Sequence, residues 1–81
     1  MNLSELKLGE IALVEYLRLK RHSQGLAKRL AAIGIVPNKQ IIVIRKAGFG
    51  GPLHIRVGST TEVAIRHQEA QMVQVRYLNS H

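Results

Sequence analysis

One stretch of the chain, Ser23–Asn38 (SQGLAKRLAAIGIVPN), has a helical hydrophobic period that no other segment shares. Leu26, Leu30 and Ile33 recur at the spacing of a single helix face, so they predict a helix packed on a core through that face. The segments on both sides have the composition of strands. The chain is therefore expected to fold as one helix held against short strands.

Both ends of this helix are marked in the sequence. Ser23 is expected to accept a hydrogen bond from a backbone N–H of the first turn and so cap the helix. Gly34 is expected to end it in the left-handed conformation, with Ile35 making a hydrophobic contact back to Leu30. Pro37-Asn38 then predicts a turn, because proline fixes φ and asparagine tolerates a positive φ.

The rest of the chain predicts a mainly β fold, a small barrel of about five antiparallel strands with one helix inserted after the first strand. The predicted strands are Glu10–Leu17, Gln40–Arg45, Leu53–Val57, Glu62–Arg66 and a last strand containing Val73, Val75 and Tyr77. The predicted connecting pieces are a docking turn at Leu3–Gly9, a glycine-rich hairpin at Ala47–Pro52, a turn at Gly58–Thr61 and one helical turn at His67–Ala70.

The first two strands carry specific expectations about burial. In the first strand, Ala12, Val14 and Tyr16 share one face by alternation. In the second, Ile41–Ile44 is a run of branched apolar residues, which predicts burial on both faces. Apolar strands such as Gln40–Arg45 can also pair through a free edge, so a homodimer is one expected assembly.

Composition limits the function classes. The 81 residues form one domain, 1–81, and the absence of cysteine excludes disulfides and thiolate metal sites. No apolar run is long enough to span a bilayer. Twelve Lys and Arg against five acidic residues give a net charge of +7, which indicates either solubility alone or an acidic partner.

Two groups of residues are candidates for contacting such a partner. The basic group comprises Arg18, Lys20, Arg21, Lys28 and Arg29. Its members are either solvated charges or a face for an acidic protein surface or anionic lipid. The second group is Phe49 with Arg45 and Lys46 at a loop tip, where Phe49 either faces a partner or folds back over the barrel mouth.

Several chemistries are not indicated. The histidines His22, His54, His67 and His81 lack the spacing of metal ligands, so surface positions and no metal site are expected. Gly48–Gly51 is expected to be a hairpin turn, because a phosphate loop needs a lysine and a following helix. With no nucleophile elbow and no carboxylate pair, we expect neither an enzyme nor a cofactor.

In this order, the residues resemble the ferrous iron transport protein A (FeoA) family. The motifs that carry the resemblance are L-x-x-L-x-x-G at Leu3–Gly9, A-x-V at Ala12 and Val14, L-x-x-x-G-I-x-P at Leu30–Pro37, the glycine-rich hairpin ending at Pro52, and A-x-x-V at Ala70 and Val73. Two positions depart from the family pattern. Asn38 stands where glycine is usual after the proline, and Gly51 stands where aspartate is frequent before the hairpin proline.

The resemblance implies an SH3-like barrel that serves bacterial ferrous iron uptake as a cytoplasmic accessory protein. Its implied partner is the membrane permease FeoB, which carries a cytoplasmic GTPase domain. The resemblance also implies the general function of transition metal ion binding that is attached to the family as a whole. The alternative, drawn from the charge and the small barrel, is a nucleic-acid-binding protein. Only Tyr16, Phe49 and Tyr77 could stack on bases, which makes that alternative less favoured.

Overall fold

The computed structural model describes residues 1–21 and 23–78, so the predictions for His22 and His81 lie outside the described residues. After a 3₁₀ turn at Leu3–Glu5, its elements are β1 (Ile11–Leu17), α1 (Gln24–Ala32), β2 (Gln40–Lys46), β3 (Leu53–Val57), β4 (Thr61–Ile65), α2 (His67–Ala70) and β5 (Val73–Tyr77). The predicted order of strands and helices is confirmed, with bounds shifted by one or two residues.

The five strands form one antiparallel sheet in the order β4-β3-β2-β1-β5. Every strand contributes buried side chains to a single core cluster, and β3 alternates as predicted, with Leu53, Ile55 and Val57 inside. The mainly β fold with a helix after the first strand is therefore confirmed.

The helix and the N-terminal turn close this core. Leu30 of α1 is fully buried, and Leu26 and Ile33 pack against the core from the same helix face. From the N-terminal turn, Leu3 and Leu6 are also fully buried, as the predicted docking turn requires. Burial of these leucines removes apolar surface from water, which is the main stabilising contribution available to so small a domain.

The two ends of α1 differ from each other in how well the sequence predicts them. Gly34 has a φ of 96° and Asn38 a φ of 71°, so both residues adopt the left-handed conformation that was expected. The Lys39 N–H donates to the Val36 carbonyl at 3.1 Å, which closes the Pro37-Asn38 turn. The predicted Ser23 cap is wrong, because its side chain makes no capping hydrogen bond. Ser23 has a ψ of 17°, not the extended backbone of a capping residue.

Two β-bulges change which side chains face the core. In β1 the register shifts between Val14 and Tyr16, so Tyr16 lies opposite Gln74 and is exposed. The expectation that Tyr16 shares the face of Ala12 and Val14 is therefore wrong. A bulge inserts one extra residue and turns the following side chains to the other face.

Strand β2 also corrects two expectations. Ile41 and Val43 are fully buried but Ile42 and Ile44 only half-buried, so one face alone is enclosed. Because β2 lies between β1 and β3, it is not an edge, and the route to a homodimer through Gln40–Arg45 is lost. Within the described ranges, the strands at the two ends of the sheet are β4 and β5. None of the helices described is long and apolar enough to cross a membrane.

Candidate partner-binding site

The hairpin between β2 and β3 ends in a tight turn whose central residues are Phe49 and Gly50. Both have positive φ, 56° and 72°, and the Gly51 N–H donates to the Gly48 carbonyl at 3.2 Å. This is the pattern of a type I′ turn, which matches the twist of the strands and favours Asn-Gly at its centre. The predicted hairpin at Ala47–Pro52 is therefore confirmed, and its central position holds a bulky aromatic where asparagine would be favoured.

Phe49 points away from the protein. Its exposure is 112% of the reference value for the residue, the highest among the exposed large apolar side chains. Of the two interpretations of Phe49, folding back over the barrel mouth is therefore wrong. The phenyl ring is left wholly in water, and its left-handed backbone costs a non-glycine residue about 1 kcal/mol or more. The stability of the fold therefore does not explain a phenylalanine at this position.

Arg45 and Lys46 leave the hairpin on different faces of the sheet. A bulge between Val43 and Arg45 places Arg45 opposite His54, on the outward face, although simple alternation would put it with the buried Val43. Lys46 lies opposite the buried Leu53, and its ammonium donates to the Ser4 carbonyl at 3.0 Å. Both side chains are exposed, so Phe49 is flanked by one cation on each face.

The outward face beside the hairpin carries a polar network that the sequence did not reveal. Arg56 Nη2 donates to Glu62 Oε2 at 2.9 Å, and His54 Nε2 lies 3.2 Å from Glu62 Oε1. The Arg56 hydrogen bond is the main cause that holds the pKa of Glu62 below its usual value, with smaller contributions from the charge of Arg56 and from His54. The one available signal was alternation, which puts His54 and Arg56 together on the outside of β3.

On the helix, the two predicted cations are both exposed but differ in their contacts. Arg29 forms an ion pair with Glu69 of α2, and this pair ties the two helices together. Lys28 forms no ion pair with any residue that the structure describes. The helix face thus offers Lys28 freely to a partner, whereas Arg29 already has an internal one.

The remaining basic residues follow the end of β1. Arg18, Lys20 and Arg21 are exposed, and Arg18 Nη2 lies 3.3 Å from the Tyr16 hydroxyl. β1 and β2 are antiparallel neighbours, so these residues and the hairpin follow opposite ends of the β1–β2 ladder. The structure therefore does not bring the predicted residues together as one site.

A third exposed region was not predicted. Ile11, Tyr77 and Leu78 are exposed apolar side chains around the start of β1 and the end of β5. Partial burial raises the pKa of Tyr77, and the charge of Glu10, whose Oε1 lies 3.4 Å from the Tyr77 hydroxyl, raises it further. Over residues 1–21 and 23–78, no three His, Asp or Glu side chains are grouped so that they could hold a metal ion.

Comparisons with known proteins agree with the fold. The model of the FeoA domain family matches residues 1–77. The FeoA protein of Chlorobium tepidum has a TM-score of 0.85 and 29% identity, over 98% of this chain and 71% of that one. A manganese-dependent transcriptional repressor has a TM-score of 0.84, over 96% of this chain and 36% of that one. At 20% identity, the repressor shows a shared fold alone.

The zinc complex of Stenotrophomonas maltophilia FeoA is 35% identical, with a TM-score of 0.81, over 94% of this chain and 89% of that one. It is described as a procaryotic SH3 domain protein and as a candidate ferrous iron transport activating factor. No curated protein matches the chain. The match over residues 1–77, supported by these structures, shows that the chain belongs to the FeoA family of small proteins related to ferrous iron transport.

Proposed function

We propose that this protein is a non-enzymatic accessory factor of ferrous iron uptake, which acts on the cytoplasmic side of a FeoB-type permease by binding its GTPase-bearing region. The observation that carries the proposal is the distribution of charge within a FeoA fold. The chain has no Asp or Glu between Tyr16 and Thr61, although nine of its twelve Lys and Arg lie there. A stretch with so large an excess of positive charge favours an acidic partner.

Within that stretch, Lys20, Arg21 and Lys28 are the cations we propose for the contact with the permease. All three are exposed, and none forms an ion pair with the described residues. Arg18 and Arg29 lie in the same stretch but contact Tyr16 and Glu69. Exposed cations of this kind attract an oppositely charged surface, which supports a binding role.

The test is the affinity of the purified chain for the isolated cytoplasmic region of the FeoB protein from the same genome. Lys28→Glu is expected to weaken binding about fivefold, because it replaces an attraction by a repulsion at an exposed position. The matched control is Lys7→Glu, which changes the net charge equally but lies between Glu5 and Glu10. Raising the salt concentration should weaken wild-type binding in the same way.

Two results would contradict the proposal. One is equal affinity of wild type and Lys28→Glu, together with indifference to salt. The other is salt-dependent binding of generic RNA or DNA at physiological ionic strength, which would favour the nucleic-acid alternative. Against that alternative, Phe49 lies in the β2–β3 turn whereas Tyr16 and Tyr77 lie on β1 and β5, so the exposed aromatics are spread over separate elements.

A further inference from the structure

We propose that the β2–β3 hairpin is a membrane anchor: Phe49 inserts into the interfacial layer of an anionic bilayer while Arg45 and Lys46 bind the lipid phosphates. The inference does not rest on the proposed function, because binding to lipid requires no permease. It assigns the hairpin to lipid and leaves the basic residues around α1 for the protein partner.

Neither packing nor turn chemistry explains a phenylalanine at this position. The ring is wholly exposed, and the left-handed backbone of Phe49 (φ 56°) suits asparagine or glycine better. A phenyl ring at the membrane surface instead removes its apolar area from water without any change in the fold. The hairpin presents the ring already in position, so little conformational entropy is lost on binding.

The residues around Phe49 allow the tip to enter the interface. From Ala47 to Pro52 the other side chains are alanine, glycine and proline, so the turn contains no charged or polar side chain that must lose its water. Two of its backbone N–H groups already donate hydrogen bonds within the turn. The Gly51 N–H donates to the Gly48 carbonyl at 3.2 Å, and the Ala47 N–H donates to the Pro52 carbonyl at 3.0 Å. Insertion of the turn therefore dehydrates no polar side chain, and these two backbone N–H groups keep their partners.

The flanking cations lie at a suitable depth. Lys46 and Arg45 precede Phe49 by three and four residues, which at the rise of an extended strand places them at most about 10–13 Å behind the tip. A ring buried about 5–10 Å into the headgroup and acyl boundary then leaves both cations near the phosphates. Arg45 projects from the outward face, whereas the Lys46 ammonium on the other face exchanges its bond to the Ser4 carbonyl for a lipid phosphate when the hairpin enters tip first.

Charge and chemistry favour lipid over a protein pocket as the occupant. The hairpin strands β2 and β3 carry Arg45 and Lys46 beside the tip and no carboxylate, and Arg56 of β3 pairs with Glu62 of the neighbouring strand, so no acidic group of the hairpin itself repels an anionic leaflet. Aromatic anchors of protein interfaces are usually ringed by polar groups that bond to the partner. The tip of this hairpin has no side-chain donor or acceptor within Ala47–Pro52.

The absence of tryptophan from the chain gives a direct test. In the Phe49→Trp variant, adding vesicles of three parts phosphatidylcholine to one part phosphatidylglycerol should shift the indole emission to shorter wavelength. Lipids brominated on their acyl chains should quench that emission. Leu8→Trp is the matched control, since Leu8 is also exposed, at 59%, but lies outside the hairpin. Its emission should stay unchanged.

Flotation with the same vesicles measures the contributions of Phe49 and Arg45 to lipid binding separately. Phe49→Asn, which suits the turn, should reduce the bound fraction about tenfold or more, and Arg45→Ala about fivefold. Pure phosphatidylcholine vesicles should bind little wild-type protein. The proposal is overturned if wild type and Phe49→Asn float equally. It is also overturned if the Phe49→Trp emission responds to the permease's cytoplasmic region but not to vesicles.

Discussion

The backbone N–H of Ile35 donates to the carbonyl of Leu30 at 2.9 Å, across the end of α1. The Gly34 N–H donates to Ala31 at 3.0 Å, and the two bonds together satisfy carbonyls that a helix end otherwise leaves unpaired. Both Leu30 and Ile35 are buried. This helix end therefore attaches α1 to the core and directs the chain into β2.

Gly34→Ala should destabilise the protein by about 1–2 kcal/mol, because an alanine at a φ of 96° is strained. The added methyl group would also lie 3.4 Å from a methyl group of Val57. Gly25→Ala in the first turn of α1 is the control. Its methyl group meets no atom within 4 Å, and it should stabilise the helix by up to about 0.5 kcal/mol. Urea unfolding measures both, and equal stabilities of the two variants would contradict the role of Gly34.

Phe49→Asn should raise the free energy of unfolding by about 0.5–1 kcal/mol. Asparagine is favoured in the left-handed conformation of this turn, and the exposed ring makes no packing contact to lose. In a domain of this size, the expected rise in Tm is about 2–8 °C. Phe49→Ala is the control, because alanine removes the ring without suiting the turn. A Phe49→Asn protein less stable than wild type would mean that the ring packs on the protein.

The sequence predicts the elements whose signals are local. Gly34, Asn38 and the Ala47–Pro52 turn could be identified because a positive φ demands particular residues, and β3 because its alternation is strict. The family model and the similar structures confirm the fold that the motifs implied.

What the sequence could not predict depends on register and on contacts between distant residues. The sequence does not indicate where β1 or β2 contains the extra residue of a bulge. The outward positions of Tyr16 and Arg45 are therefore seen only in the strand pairing of the structure. The Arg29–Glu69 pair joins residues 40 positions apart, and periodicity alone makes Arg29 look like a solvated charge. The missed Ser23 cap is a local failure with a different origin, because a capping bond depends on a backbone angle that the sequence does not fix.

Arg56→Gln should raise the pKa of Glu62 toward its ordinary value of 4.5, because the hydrogen bond from the Arg56 guanidinium is the main cause of the lowered pKa. A carboxyl whose pKa is lower in the folded protein adds stability above its unfolded pKa, and this stability is lost as the pH falls through the folded pKa. Wild type should therefore lose more stability on acidification below about pH 4.5 than Arg56→Gln does. Side-chain NMR titration of Glu62 measures the pKa. An unchanged value in the variant would assign the lowering to another group.

Glu69→Ala should destabilise the protein more than Arg29→Ala, because Glu69 makes two kinds of contact. One of its carboxylate oxygens accepts the Arg66 backbone N–H at 2.8 Å, and the other pairs with Arg29. Loss of the exposed ion pair alone should cost at most about 1 kcal/mol, and loss of the capping bond about 1 kcal/mol more. Glu69→Gln separates the two, because glutamine can keep the bond to Arg66 but carries no charge. The stability of Glu69→Gln should match that of Arg29→Ala. If Glu69→Gln instead loses as much stability as Glu69→Ala, the charge of Glu69, and not its capping bond, holds α2 in place.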